Sequence, residues 1–372
     1  MKRSLLQLPL FALVVAGMVI GIVTGLGRLG LPVPPVADTR VMLHGPILIA
    51  GVFGTLIALE RAVAMKALLG RTWTFADLGP VLGGAGLIVL LVNGATTPAI
   101  VLTSAGAAVL VVVTLFFLRR SPTLDVFTMV LGAVFLLLAD LAWLAERPVP
   151  FLTPWWAAFL VLTVVGERLE LARLRAHGRA APAMFAIAVA AYVGALLLMV
   201  VDEGLGMRLS GVGMIALAVW LLRYDIALMT IRRSGLPQFV AACLLSGYVW
   251  LGIGGAVVLL NEPMFAGFSY DAYLHAVLLG FVFSMVFGHA PIIFPAVIER
   301  PIGFSAFAYV PLVVLHFSVA LRILADLAEV QAVRQAAGVW TAVSIVLYAI
   351  FIVYGLVRGD SRPRQSSQPN QG

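Results

Sequence analysis

The sequence predicts an all-α membrane protein, a polytopic bundle of about 12 transmembrane helices. Three observations predict this class: 62% of the 372 residues are hydrophobic, only 11% are charged, and the mean hydropathy is +1.08. Soluble domains have about a quarter of their residues charged, and no soluble core could bury so much apolar surface. Runs of about 20 apolar residues, the length that crosses a bilayer as a helix, recur along nearly the whole chain. We therefore expect the lipid bilayer to surround the bundle.

The apolar runs between charged or Pro/Gly-rich breaks predict twelve spans. In chain order they lie near residues 5–27, 41–65, 75–95, 98–118, 124–145, 150–172, 182–202, 207–229, 237–260, 271–297, 303–327 and 335–357. The first span is long and no small-residue cleavage site follows it, so we interpret it as a retained helix rather than a signal peptide. Residues 1–357 are thus predicted to form one transmembrane domain. The polar segment 358–372 is predicted to be a disordered cytoplasmic tail.

The distribution of basic residues tests the number of spans, because Lys and Arg concentrate in cytoplasmic loops. With the N-terminus inside, all but six of the 24 Lys and Arg residues fall on the inner side. The six on the outer side are Arg28, Arg40, Arg147, Arg208, Arg322 and Arg334. One missed span would move many of these basic residues to the other side and remove the asymmetry. We therefore predict that both termini are cytoplasmic. The protein is predicted to lie in the inner (plasma) membrane. The net charge of +7 then reflects topology, and no nucleic-acid partner is expected.

The residues able to carry chemistry are few. The single cysteine, Cys243, excludes an intrachain disulfide and a cluster of thiolates. Four of the five histidines lie inside apolar spans, namely His44, His275, His289 and His316. Ionisable side chains in lipid are costly and usually face a cavity, a cofactor or another polar group. These four histidines are therefore the candidate metal ligands.

His44 and His275 are predicted to lie at matching depth near the outer side, in the second and tenth spans. A b-type haem needs such a pair, one imidazole from each of two helices on either side of a planar ring. Gly45 and Gly280 could leave room for that ring. The alternative is that each histidine merely donates a hydrogen bond to a neighbouring carbonyl near the headgroups.

The propionates of a haem at this depth would need cations at the outer interface. Arg40 and Arg322 are the arginines that we expect to bind them.

His289 and His316 are candidates for a second site. In a regular α-helix His289 would lie about 21 Å beyond His275 and roughly 40° around the axis, on nearly the same face. His316 is near the middle of the eleventh span. The two could share a second haem, a copper ion or a proton path, since imidazole suits all three. The alternative is two separate histidines with ordinary hydrogen bonds.

A short motif in the tenth span resembles a known family. His275-Ala276, followed by Gly280, Met285 and Gly288, is similar to the late-span motif of the NnrS family, twelve-span haem- and copper-containing membrane proteins linked to nitric oxide metabolism. The histidine in the second span and the number of spans also resemble subunit I of haem-copper oxidases, whose low-spin haem is held by histidines of the second and tenth spans. The resemblance implies a subunit-I-like arrangement with His44 and His275 as haem ligands.

The sixth and seventh spans contain no histidine, so the three-imidazole copper site of true oxidases is not expected. The leading expectation is a protein that binds haem b, with copper as a second candidate metal, in nitric oxide metabolism, electron transfer or the response to redox stress. Its partners would be nitric oxide or another small diatomic ligand and an unidentified redox protein. Whether it is an enzyme is left open. The alternatives are a twelve-span secondary transporter, suggested by Gly- and Pro-interrupted helices, and a non-catalytic assembly subunit of a membrane complex.

Overall fold

The computed structural model describes residues 7–172, 178, 180–262, 265–298 and 303–359. In this part of the chain, twelve helices are long and apolar enough to span a membrane. They are α1 (Gln7–Arg28), α2 (Val41–Leu69), α3 (Phe75–Asn93), α4 (Thr97–Arg120), α5 (Leu124–Leu144), α6 (Val149–Ala172), α7 (Ala180–Leu198), α8 (Glu203–Tyr224), α9 (Leu236–Leu260), α10 (Phe268–Ile293), α11 (Ala306–Leu327) and α12 (Gln331–Val357). The described segments are helices and their connections, without strands.

The prediction of an all-α, multi-pass membrane protein with twelve spans is confirmed. Each predicted span overlaps one helix, and most boundaries differ by a few residues. The predicted tail, 358–372, lies almost entirely outside the described residues.

Helices that follow each other in sequence pack as antiparallel neighbours, with extensive contacts in the pairs α3 and α4, α5 and α6, α7 and α8, and α11 and α12. Glycine allows a close crossing between α8 and α9. A Cβ atom at Gly211 would lie 2.5 Å from the carbonyl oxygen of Gly255. Such backbone approach is how helices associate in lipid, where the hydrophobic effect no longer drives them together. α1 uses its own row, Gly17, Gly21 and Gly25, against side chains of α2 and α3.

Two of the spanning helices are not regular α-helices. α2 is π-helical over Ile47–Phe53, and α10 is π-helical over Ala276–Phe283. The π segment of α2 directly follows Pro46, which has no N–H to donate to the preceding turn. In α10 the segment contains Gly280, where an added Cβ would lie 2.5 Å from the Cβ atom of Trp250 on α9. π-Helical turns are rare and occur frequently at functional sites.

Candidate functional site

His44 stands at the start of α2, three residues before its π-helical segment. Its Nδ1 atom lies 2.6 Å from the carbonyl oxygen of Gly21 on α1. A carbonyl oxygen can only accept, so Nδ1 carries the proton and the Nε2 lone pair of the neutral ring is available to a metal. Gly25, one turn further along α1, makes room for the ring: a Cβ there would lie 2.6 Å from His44 Cε1.

His275 is held in the same way from its own helix. Its Nδ1 atom lies 2.8 Å from the carbonyl oxygen of Asp271, one turn earlier in α10, so this ring also carries its proton on Nδ1. The Asp271 carboxylate is a second neighbour of the ring, with Oδ1 3.4 Å from Nδ1. The π-helical segment begins at the next residue, Ala276. Each helix therefore carries its histidine shortly before a π-helical segment, by three residues in α2 and by one in α10.

Both imidazoles line one cavity of about 450 Å³. Its walls come from α1, α2, α6, α10, α11 and α12 and from the chain before α10. Most of the wall is apolar, with Ile49, Phe53, Leu278 and Phe283 among the contributors. Cofactor and ligand sites have volumes of roughly 300–1,000 Å³ and combine an apolar lining with a few polar groups. This cavity has both properties.

The polar end of the cavity carries an ion-pair network. Arg322 and Arg334 line the cavity beside Asp271. The Oδ2 atom of Asp271 accepts from Arg322 Nε at 2.9 Å and from Arg334 Nη2 at 3.1 Å. Asp326 completes the network, with Oδ2 3.2 Å from Arg322 Nε and Oδ1 bonded to Arg334 Nε. Two carboxylates thus balance two guanidinium groups.

Arg28 is the third arginine at the cavity, and it differs from the other two. It is exposed at the end of α1, and its Nη1 atom lies 3.9 Å from the Met42 thioether sulfur. A thioether is a weak acceptor, and no carboxylate among the described residues forms an ion pair with Arg28. Arg40, which the sequence predicts as a propionate partner, is turned elsewhere: its Nη2 atom donates to the Val92 carbonyl at 2.6 Å, at the end of α3.

One family model matches residues 7–357, which include all twelve helices and the whole cavity. The chain belongs to the family described as Domain of unknown function (DUF8744). No curated protein and no solved structure matches it. The histidine pair, the cavity and the arginine network are therefore features of a DUF8744 domain.

The glycines expected to make room for a ligand have different surroundings. Gly45 lines the cavity of this DUF8744 domain, and a Cβ there would meet nothing within 4 Å. Gly280 instead faces Trp250, which an added Cβ would strike. Its role is therefore to admit the indole ring between α9 and α10.

His316 is bound to the same indole ring. Trp250 Nε1 donates to His316 Nδ1 at 2.8 Å, and the two rings stack with an interplanar angle of 18°. Because the indole N–H can only donate, Nδ1 uses its lone pair and the proton of the neutral ring lies on Nε2. Within the described part of the chain, that Nε2 atom is buried without a partner. As placed, His316 offers no free lone pair to a metal.

His289 has other neighbours. Its Nδ1 atom lies 2.7 Å from the Met285 carbonyl oxygen, and it does not line the cavity. The π-helical segment Ala276–Phe283 turns the chain less per residue than an α-helix does, so the spacing that places His289 near the face of His275 does not apply. His289 lies close to Asp225, in the connection after α8. Burial raises the pKa of the Asp225 carboxyl, and the charges of Arg168 and His289 oppose that shift.

The structure therefore brings together His44, His275 and Arg322 from the predicted site and adds Arg28, Arg334 and Asp271. His289, His316 and Arg40 lie elsewhere. Among the described residues, no group of three or more His, Cys, Asp or Glu side chains could hold a metal ion. Asp271 could have been found from the sequence, because it stands four residues before His275 and shares its helical face.

Proposed function

We propose that this protein binds a b-type haem in the cavity, with His44 and His275 as its two axial ligands. One observation carries the proposal: both imidazoles line the same cavity, and each has its Nδ1 proton bonded to a backbone carbonyl. Metal-bound histidines almost always donate their other N–H to a carbonyl or carboxylate, which fixes the tautomer and the orientation of the ring. The hydrogen bonds to Gly21 and Asp271 match that arrangement.

The rest of the cavity fits an amphipathic ring. Apolar side chains such as Phe53 and Phe283 would cover a macrocycle, and the open space at Gly45 leaves its face free. Arg28, which pairs with no described carboxylate, provides a positive charge at the cavity for the carboxylates of such a ring. Arg322 and Arg334 are already paired with two aspartates, so they contribute hydrogen bonds rather than net charge.

The chemistry that a haem supplies when bound is one-electron redox exchange and the binding of small diatomic molecules. The chain holds both imidazoles through backbone carbonyl oxygens, which fixes the proton on Nδ1 and leaves Nε2 of each ring for a metal. The apolar wall excludes water from the faces of the ring. His44 and His275 would both hold the iron, an arrangement that suits electron transfer.

The motif from His275 to Gly288 supports a finer proposal, a role in nitric oxide or nitrogen oxide metabolism or in redox stress, in a subunit-I-like arrangement of helices. The excess of basic residues in alternate connections supports cytoplasmic termini and an inner-membrane location. A copper ion would have to use residues outside the histidine pair, and among the described histidines His289 is the remaining one whose Nε2 lone pair is available when Nδ1 carries the proton.

The test is a reduced-minus-oxidised optical spectrum, with iron and copper analysis, of detergent-purified protein expressed with an adequate haem supply. We expect sharp low-spin bands and about one iron per chain, as two imidazoles on one iron predict. A colourless, iron-free preparation would reject the proposal. Transport, assayed by uptake in proteoliposomes, or assembly, assayed by co-purification of a partner, would then take its place.

Arg28 provides a test of the polar end. Arg28→Gln is expected to weaken haem binding roughly fivefold, about 1 kcal/mol, because an exposed charge pair contributes little more than that. The measurement is haem titration of the apoprotein in detergent at low and high salt. Arg40→Gln separates the two assignments: a loss of affinity there and none at Arg28 would restore Arg40 as the propionate partner.

A further inference from the structure

The two candidate ligands have different groups behind their rings. His44 is backed by an uncharged peptide carbonyl, that of Gly21 on another helix. His275 has the Asp271 carbonyl at 2.8 Å and, in addition, the Asp271 carboxylate at 3.4 Å from the same Nδ1 atom. A carboxylate behind a ligating imidazole attracts its N–H proton and raises the basicity of the nitrogen that binds the metal.

The network holds this carboxylate in place. Arg322, whose side chain is 6% exposed, and Arg334 both bond to Oδ2 of Asp271 and leave Oδ1 toward His275. The two arginines are themselves anchored by Asp326, whose side chain is 0% exposed. A buried cluster with equal numbers of positive and negative charges keeps Asp271 beside the ring without adding net charge to the cavity.

We propose that Asp271 is a positioning residue that makes His275 the more electron-rich ligand and lowers the reduction potential of the site. This inference rests on the proposed haem function. Its physical basis is that a negative charge near the iron stabilises the oxidised form, by an amount that falls with distance and with the local dielectric constant. Of the two aspartates in the network, only Asp271 is in contact with a candidate ligand.

The test is a potentiometric titration of the haem-loaded Asp271→Asn protein. The optical bands of the haem report the ratio of reduced to oxidised protein. At a fixed potential near the midpoint we expect the ratio of reduced to oxidised protein to rise about tenfold, which corresponds to 59 mV for a one-electron couple. Removing a carboxylate about one imidazole ring away from the iron is consistent with a change of that order. Haem content is measured in the same sample.

Asp326→Asn is the matched control. It makes the same Asp-to-Asn change in the same network, but Asp326 bonds to Arg322 and Arg334 and does not line the cavity. We expect this variant to change the ratio less than about threefold, since its charge is further from the ring. Equal shifts in the two variants would overturn the proposal in favour of a general charge effect.

A second variant keeps the test informative if Asp271→Asn fails to fold. The double variant Asp271→Asn with Arg334→Gln restores charge balance, because Arg322 and Asp326 remain as a pair. Its ratio of reduced to oxidised protein is expected to stay above that of the wild type, and a return to the wild-type value would overturn the inference. A wild-type protein without haem would overturn the proposed function as well, whereas a loaded wild type with unshifted variants would overturn the role of Asp271 alone.

Discussion

His275→Ala is expected to abolish haem binding while the protein still inserts into the membrane, and His44→Ala to do the same. Each substitution removes one of two axial ligands and leaves the hydropathy of its helix almost unchanged. Mutating a residue that only hydrogen-bonds to a metal ligand already lowers metal affinity about 10- to 100-fold. Removing the ligand itself is therefore expected to lower haem affinity more than about 100-fold. The measurement is haem and iron per chain, from absorbance and metal analysis, after purification in one detergent.

The control for these variants is His316→Ala. It removes an imidazole of the same size from the bundle, but one whose Nδ1 lone pair is already used by Trp250. Haem content is expected to remain at the wild-type level. A double His44→Ala, His275→Ala protein that still carried a full complement of haem would remove both residues from the site.

Gly25→Ala is expected to disturb the site nearly as much as loss of His44, although it changes only one methyl group. The added Cβ would lie 2.6 Å from Cε1 and 2.8 Å from Nδ1 of His44, closer than such atoms approach. The ring cannot simply retreat, because its Nδ1 atom is bonded to Gly21. We expect haem content to fall at least about tenfold, since a misplaced ligand loses most of its bond to the metal.

Gly194→Ala controls for the general effect of alanine in a spanning helix. An added Cβ there would meet nothing within 4 Å, so neither haem content nor thermal stability in detergent is expected to fall. If Gly25→Ala bound haem with wild-type affinity and an unaltered spectrum, His44 would not be held as the structure places it.

Hydropathy was sufficient to predict the fold class, because a helix that crosses a bilayer needs a long apolar run, and such a run is visible directly in the sequence. It was also sufficient to pair His44 with His275, since both stand about one turn inside the same end of the predicted spans, and both line one cavity in the structure. The sequence contains no comparable pattern for the direction in which an arginine side chain points beyond a helix end. Arg40 points to Val92 and Arg28 to the cavity because of how the connection between α1 and α2 folds.

The π-helical segments explain another difference between the predicted site and the structure, the position of His289. A count of 3.6 residues per turn predicts the faces of an α-helix but not those of α10, where Ala276–Phe283 is π-helical and His289 lies away from the cavity. Neither the identity of these residues nor their spacing predicts the π-helical segment, in which Gly280 packs against Trp250 of α9. The sequence did not predict Trp250 as the partner of His316 either, because a contact between α9 and α11 depends on tertiary packing.

The hydrogen bond between His44 and Gly21 links one side of the cavity to the position of α1. α1 has few buried residues, Val14, Gly17, Gly21 and Thr24. A helix with so little of its surface packed against protein adjusts its tilt to the thickness of the surrounding hydrocarbon. Tilting α1 moves the Gly21 carbonyl relative to His44, whereas the support of His275 comes from its own helix and stays in place. We therefore expect a thin and a thick bilayer to change the cavity at His44 and at the α1 residues that line it, such as Arg28, while the hydrogen bond of His275 stays as it is.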